Sequence, residues 1–316
     1  MSVDFIIFIT SYFLVIFSVL GYGLVFENLF KLKKYSLNLG FIGLAGILFL
    51  ITYSYISHYF IPHGILHNLI INLVGLIAFI LLIKNKKKEL GPFVLVFLIL
   101  ILGLIIFKTH DDFPYYHFPY TYHLTQNSAI FGTGILNHGF RTPSSIFFLN
   151  SLFYLPFVKF YLFQMGAILI TGFSLLILLE DIRNKIKLDE INSIFFLKLF
   201  SFAFILSFFY RIQEHGTDRS AQILILLFVI EILDLRKNYN LFNKNLNKLI
   251  ILITLIIGLK LFYLLYLIFI IPIIINLYKD QKISLITYIF KNNTKLPKSS
   301  GMLKNHYSPK KDLIVG

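Results

Sequence analysis

Nine histidines are spread unevenly along this 316-residue chain, and eight of them fall in or beside the same set of connecting segments: His58, His63, His67, His110, His117, His123, His138 and His215. The densest polar stretch is Thr109-His110-Asp111-Asp112-Phe113-Pro114-Tyr115-Tyr116-His117, which begins where a long apolar run ends. A carboxylate beside imidazoles can take a proton from a hydroxyl or bind a divalent cation, and partial burial or a second acid raises its basicity toward neutral pH. Side chains of adjacent residues diverge, so one of Asp111 and Asp112 is expected to face a site. A second polar cluster runs from Arg211 to Ser220 and contains His215, Asp218 and Arg219. Arg211 and Arg219 have the planar forks that hold phosphate oxygens, and Asp218 could orient one of them or stand opposite Asp112. Lys260 is the third candidate, because a lysine inside an apolar stretch is expensive in lipid and is functional by default.

The segment 108–145 is long for a connection and rich in aromatics, so it is read as an ordered functional loop. After Pro119, Tyr120, His123 and Asn127 recur at three-to-four spacing, which predicts a short helix lying along a membrane surface. No His-Glu-x-x-His spacing is present, so no transition-metal site is expected; a Mg or Mn ion would suit carboxylate and phosphate oxygens.

The elements that must position these groups are apolar. The chain is 57% hydrophobic and 14% charged, with a mean hydropathy of +0.79, far from soluble composition. Apolar runs cover about 4–26, 39–60, 65–83, 92–107, 160–179, 191–210 and 221–235, followed by a run over 249–277 that Lys260 interrupts. This predicts an all-α polytopic transmembrane bundle of about eight or nine crossings, with residues 1–280 as one helical domain and 281–316 as a cytoplasmic tail, disordered or truncated. Segment 144–155 is amphipathic and is expected to insert partly.

Lysine-rich connectors (Lys31, Lys33, Lys34; Lys84, Lys86, Lys87, Lys88; Arg183, Lys185, Lys187; Arg236, Lys237, Lys244, Lys248) alternate with connectors that carry the histidines. Cationic loops stay cytoplasmic. The expected orientation is therefore N-terminus outside and C-terminus inside the cytoplasmic membrane, with the titratable groups outside. Lys198 is read as snorkelling, and Glu231 and Asp234 as structural. The net charge of +14 is the product of these topology signals and does not imply a nucleic-acid partner. With no cysteine, disulfides and thiolate metal sites are excluded.

An outer-loop carboxylate, one of an acidic pair, followed by aromatics and a surface helix resembles the GT-C superfamily of membrane glycosyltransferases. The runs His110-Asp111-Asp112-Phe113-Pro114-Tyr115-Tyr116-His117 and Gly134-Ile135-Leu136-Asn137-His138-Gly139-Phe140-Arg141-Thr142-Pro143-Ser144-Ser145 look closer still to a group of uncharacterised bacterial polytopic membrane proteins of similar layout. That group carries an Asp-x-x-x-Tyr-His-x-Pro segment, a Thr-Asp outer loop, matched here by Thr217-Asp218, and a late lysine, matched by Lys260. One departure is that the acidic loop follows the fourth span here, whereas in GT-C enzymes it usually follows the first. The resemblance implies transfer of a sugar from a polyprenyl-linked donor to a glycan or lipid acceptor at the outer face of a bacterial inner membrane. Asp111 or Asp112 would be catalytic, with His110, Tyr116, His117, His138, Arg141, Arg211, His215, Asp218, Arg219 and Lys260 binding substrate. The rival expectations are a transporter or flippase of a lipid-linked glycan, and a non-catalytic membrane assembly protein.

Overall fold

The computed structural model describes residues 3–32, 37–105, 109–141, 143–237 and 242–271. Lys33, Lys34, Lys108, Thr142, the apolar residues 272–277 and the expected tail lie outside the described residues. The architecture is all-α: α1 (Val3–Leu29), α2 (Leu39–His58), α3 (Ile65–Leu82), α4 (Leu90–Ile105), α5 (Phe118–Gln126), α6 (Ser145–Ser151), α7 (Met165–Lys187), α8 (Ser193–Phe208), α9 (Asp218–Lys237) and α10 (Phe242–Leu259). Five helices among the described residues are long and apolar enough to cross a membrane; α8 and the last part of α10 are shorter apolar helices.

The distribution of burial is that of a protein solvated by lipid. Asn68, Asn72 and Gly75 are the buried residues of α3, while Leu66, Ile70, Ile77, Ile80 and Leu81 are exposed. On α4, Leu95, Leu98, Ile99 and Leu102 are likewise more than half exposed. Continuous apolar surface of this extent is untenable in water. The chain is therefore a membrane-embedded helical protein. At its centre stands α7, buried along nearly its whole length from Met165 to Leu178.

Without a hydrophobic drive between helices in lipid, small residues that allow close backbone approach hold such bundles together. Gly21 faces α3, Gly23 and Gly46 bring α1 onto α2, and Gly43 receives the Phe173 ring of α7. A Cβ on Gly21 would lie 1.9 Å from the Gly75 carbonyl oxygen. Backbone cannot yield as a flexible side chain does, so Gly21→Val is expected to cost at least the ~1–3 kcal/mol typical of overpacking. Thermal melting in detergent measures this, and a Tm unchanged from wild type would show that α1 and α3 are not in this contact.

Two chemically distinct ends result. At the lysine-bearing end, Lys86 reaches Glu27 at 3.8 Å and also bonds the Leu37 carbonyl, and Glu89 accepts from the Leu39 amide at 3.0 Å. Lys248 pairs with Glu231 at 2.9 Å and lies over the Phe41 ring. Lys198 is buried rather than snorkelling: it sits between Asp181 at 2.6 Å and Asp234 at 3.1 Å. Segment 144–155 also differs from its amphipathic expectation. Every residue of α6 is buried, because α5, α2, α7 and α10 surround it.

Candidate functional site

The histidine-bearing connectors meet at the other end of the bundle. The His110 amide donates to the Gln213 carbonyl at 3.2 Å, which ties the 108–145 segment to the second polar loop. The His63 amide bonds the Leu124 carbonyl, and the Ala129 amide bonds the His58 carbonyl, both at 3.0 Å. The Ser144 hydroxyl donates to the Leu259 carbonyl at 2.7 Å, bringing the end of α10 to the same place. Residues far apart in sequence thus share one polar end.

Within it, the local fold selects Asp112. The acidic pair follows α4, and residues Phe113–His117 form a π-helical turn that runs into α5. Such a turn is rare and concentrates at functional sites. It places the Tyr116 hydroxyl 3.0 Å from Asp112 Oδ2, to which it donates. Asp112 also donates its amide to His110 Nδ1 at 3.1 Å, so that nitrogen is an acceptor and Nε2 carries the proton. Asp111 is exposed and points away from this group.

His117 stacks on His110 at 5.3 Å between ring centroids, and its Nε2 is buried without a hydrogen-bond partner. Burial and the neighbouring His110 push the His117 pKa down to about 4, against the opposing charges of Asp112 and Asp218. Its ring is therefore neutral at physiological pH, with a nitrogen available as a ligand. Burial, the Asp112 hydrogen bond and the charges of Asp112 and Asp218 raise Tyr116 to about 12, so its phenol remains a donor. One ligand atom from each of His110, Asp112 and His117 lies within 4.8 Å of the others. Two imidazoles and a carboxylate form a donor set that suits a divalent transition ion, and the orphaned His117 nitrogen fits that use. The helical spacing sought in the sequence could not reveal it, because the π turn and ring stacking create the convergence.

The second loop closes over these rings. Gly216 adopts φ +53°, and a Cβ there would lie 3.2 Å from His117 and 3.3 Å from His110. Lys260 forms an ion pair with Asp218, so two candidates come together by pairing with each other. Both remain about two-fifths exposed, within reach of a ligand. The arginines are organised by Glu214, to which the sequence gave no role: Arg219 lies 3.2 Å and Arg211 3.5 Å from its carboxylate. His138 is exposed and lies in a short 3₁₀ turn whose Gly139 packs against Tyr116. Arg141 is exposed, and its guanidinium contacts the Gly134 carbonyl. Neither of these two is drawn into the Asp112 group.

His215 is placed differently. It is fully buried, bonded through Nε2 to the Phe209 carbonyl at 2.7 Å, with the Thr171 hydroxyl 3.5 Å from Nδ1. It therefore fastens the second loop to α7. Burial lowers its pKa to about 4. The folded value lies below the unfolded one of about 6.5, so protonation favours the unfolded chain. Its contribution to stability is intact above pH 6.5 and is lost as pH falls toward 4. Melting temperature measured across pH 4–7 is expected to fall over that window and to flatten in His215→Gln; equal slopes in both proteins would refute the assignment.

A second polar group escaped the sequence reading. Asn68 donates to the carbonyls of His63 and Ser151 at 2.7 and 2.8 Å, and Asn72 to that of Leu152 at 3.0 Å. His63 bonds Ser57 and Ser151, and His67 bonds Tyr53 and Asn68. The asparagines at i and i+4 in an apolar helix were the available signal. They hold the non-helical backbone after α6, which must be satisfied inside the protein at membrane depth.

Fold and site together define a multi-helix membrane-embedded protein with a titratable cluster gathered at one end. A family model for a domain of unknown function, DUF8201, matches residues 5–292, and the chain belongs to that family. Neither the comparison with curated proteins nor that with solved structures returned a match.

Proposed function

We propose that the protein is a GT-C-like membrane glycosyltransferase that moves a sugar from a polyprenyl-linked donor to a cell-envelope glycan or lipid acceptor. The observation that carries this reading is the geometry of Asp112. Its carboxylate is oriented by Tyr116, stands beside two imidazoles, and lies at the end of the bundle where Lys260 and the two arginines supply positive charge. In the proposed reaction Asp112 removes the acceptor hydroxyl proton as that oxygen attacks the anomeric carbon. The bond from that carbon to the donor phosphate breaks, and Lys260, Arg219 and Arg211 stabilise the charge left on the phosphate. His117 and Tyr116 position sugar hydroxyls. In this reading the site faces the outside of the bacterial inner membrane, with the lysine-bearing end in the cytoplasm. A divalent ion on His110, Asp112 and His117 would add a Lewis acid beside the phosphate.

Convergence of the loops favours an enzyme over an assembly protein, for which polar groups spread over separate surfaces would be expected. The test uses purified protein in lipid nanodiscs, supplied with a panel of polyprenyl-phosphate sugars and lipid or glycan acceptors. Donor consumption with product formation, abolished in Asp112→Asn, is expected. Vectorial movement of intact donor without bond cleavage would replace this reading with the flippase alternative.

A further inference from the structure

Beside the Asp112 group, and separated from it by aromatic side chains, lies a cavity of about 270 Å³. Its walls include Tyr55 from α2, Tyr120 from α5 and Phe148 from α6, and Phe131 stands at its mouth, 92% exposed. His58 and His123 also line it. Each has a ring nitrogen that is buried and without a hydrogen-bond partner: Nδ1 of His58 and Nε2 of His123. His58 as a whole is only 6% exposed. The folded chain thus buries two polar atoms toward a hollow and leaves their hydrogen bonds unmade, a costly arrangement that a ligand's own polar groups would relieve.

The chemistry of the walls narrows the ligand. No Asp, Glu, Lys or Arg lines the cavity, which disfavours a phosphate or a carboxylate. The Asn127 amide group lies 3.1 Å from His123 Nδ1. An amide N–H donates, so Nδ1 accepts and Nε2–H points its donor into the cavity. Burial lowers the His123 pKa, which keeps the ring neutral. The volume falls just below the range of ~300–1,000 Å³ that holds drug-sized ligands, so about one ring fits. Aromatic faces pack against apolar C–H surface, while the imidazoles require groups that both donate and accept. Hydroxyl groups on a saturated ring meet both demands.

We propose that this cavity binds a neutral, monosaccharide-sized polyhydroxylated ring. Binding stands on the cavity alone; its role as the acceptor pocket of the transfer rests on the transferase reading. Tyr120 and Phe147 form the partition, with ring centroids 5.7 Å apart, and Phe147 lies 5.0 Å from His117 on the other side.

Saturation-transfer NMR on the full-length protein in nanodiscs free of glycolipid tests the proposal. The probes are methyl glycosides of glucose, galactose, mannose and N-acetylglucosamine, with cyclohexanol and methyl glucuronate as controls. At least one glycoside is expected to bind tenfold or more tightly than both controls. His123→Leu should weaken it at least tenfold and Phe131→Ala at least threefold; the second substitution, at an exposed position, keeps the test decisive if the first variant fails to fold. Asp112→Asn should change binding by less than twofold, so loss of transfer and loss of this site are read separately. A parallel arm presents the same sugars as glycolipid headgroups in the disc. Displacement of the free glycoside marks a lipid-borne ligand, and its persistence a soluble one. Absence of binding by all four glycosides, binding of cyclohexanol as tight as theirs, or wild-type affinity in a folded His123→Leu together with Phe131→Ala would overturn the proposal.

Discussion

Asp112→Asn is expected to lower the rate of sugar transfer by about 10²–10⁴, the usual contribution of a positioned general base, while Asp111→Asn stays within about threefold of wild type. The contrast follows from orientation. Asp112 accepts the Tyr116 hydroxyl and stands 3.8 Å from His110 Nδ1, whereas its neighbour faces solvent. Asparagine keeps the size and the hydrogen bond from Tyr116 but cannot take a proton. The melting temperature of both variants is expected to match wild type, since Asp112 is half-exposed. Tyr116→Phe leaves the carboxylate in place and loses its positioning donor, so a smaller loss of about tenfold is expected. Steady-state kinetics in nanodiscs would decide: equal rates for the two aspartate variants would remove Asp112 from the base role.

Lys198→Met is expected to destabilise the fold by about 3–5 kcal/mol, because it strips the shared cation from two carboxylates in a poorly solvated place. The Lys198 side chain is 3% exposed, and those of Asp181 and Asp234 are 18% and 17%. Removing the partner leaves both acids without that cation, and three helices, α7, α8 and α9, meet at this point. Methionine preserves the bulk of the side chain, so the loss is electrostatic rather than a cavity. The triple variant Lys198→Met, Asp181→Asn, Asp234→Asn should recover most of the stability, since a neutral group of similar shape often costs little. Denaturant or thermal unfolding in detergent reads both. If the triple variant were no more stable than the single one, packing around Lys198, rather than the ion pairs, would be responsible.

The course of the helices could be read directly from the sequence. Uninterrupted apolar runs place α1 to α4 and α7, and Lys260 marks the end of α10, because these are one-dimensional signals. The gathering of polar connectors at one end also follows from an alternating chain of spans: each crossing returns the backbone to the same side. What stays hidden is pairing. Nothing local says that Asp218 takes Lys260 while Glu214 takes Arg211 and Arg219, since acids and bases of similar spacing compete and only the packed backbone decides. The burial of Lys198 escaped for the same reason: a lysine near the end of a span suits snorkelling until two acids from other helices arrive beside it. His58 and His123 could be assigned to the correct end, but the cavity between them depends on ring packing of α5 against α6.

The Asp218–Lys260 pair also has a consequence for biogenesis. Translation delivers the acidic loop long before residue 260, and Gly216, which seals the two imidazoles, lies a hundred positions downstream of them. During insertion the first half therefore waits with its histidines uncovered, and the site is completed only when the last apolar segment docks. A ribosome stalled after the fifth crossing would hold an inert intermediate, protecting the membrane from uncontrolled chemistry while synthesis is under way.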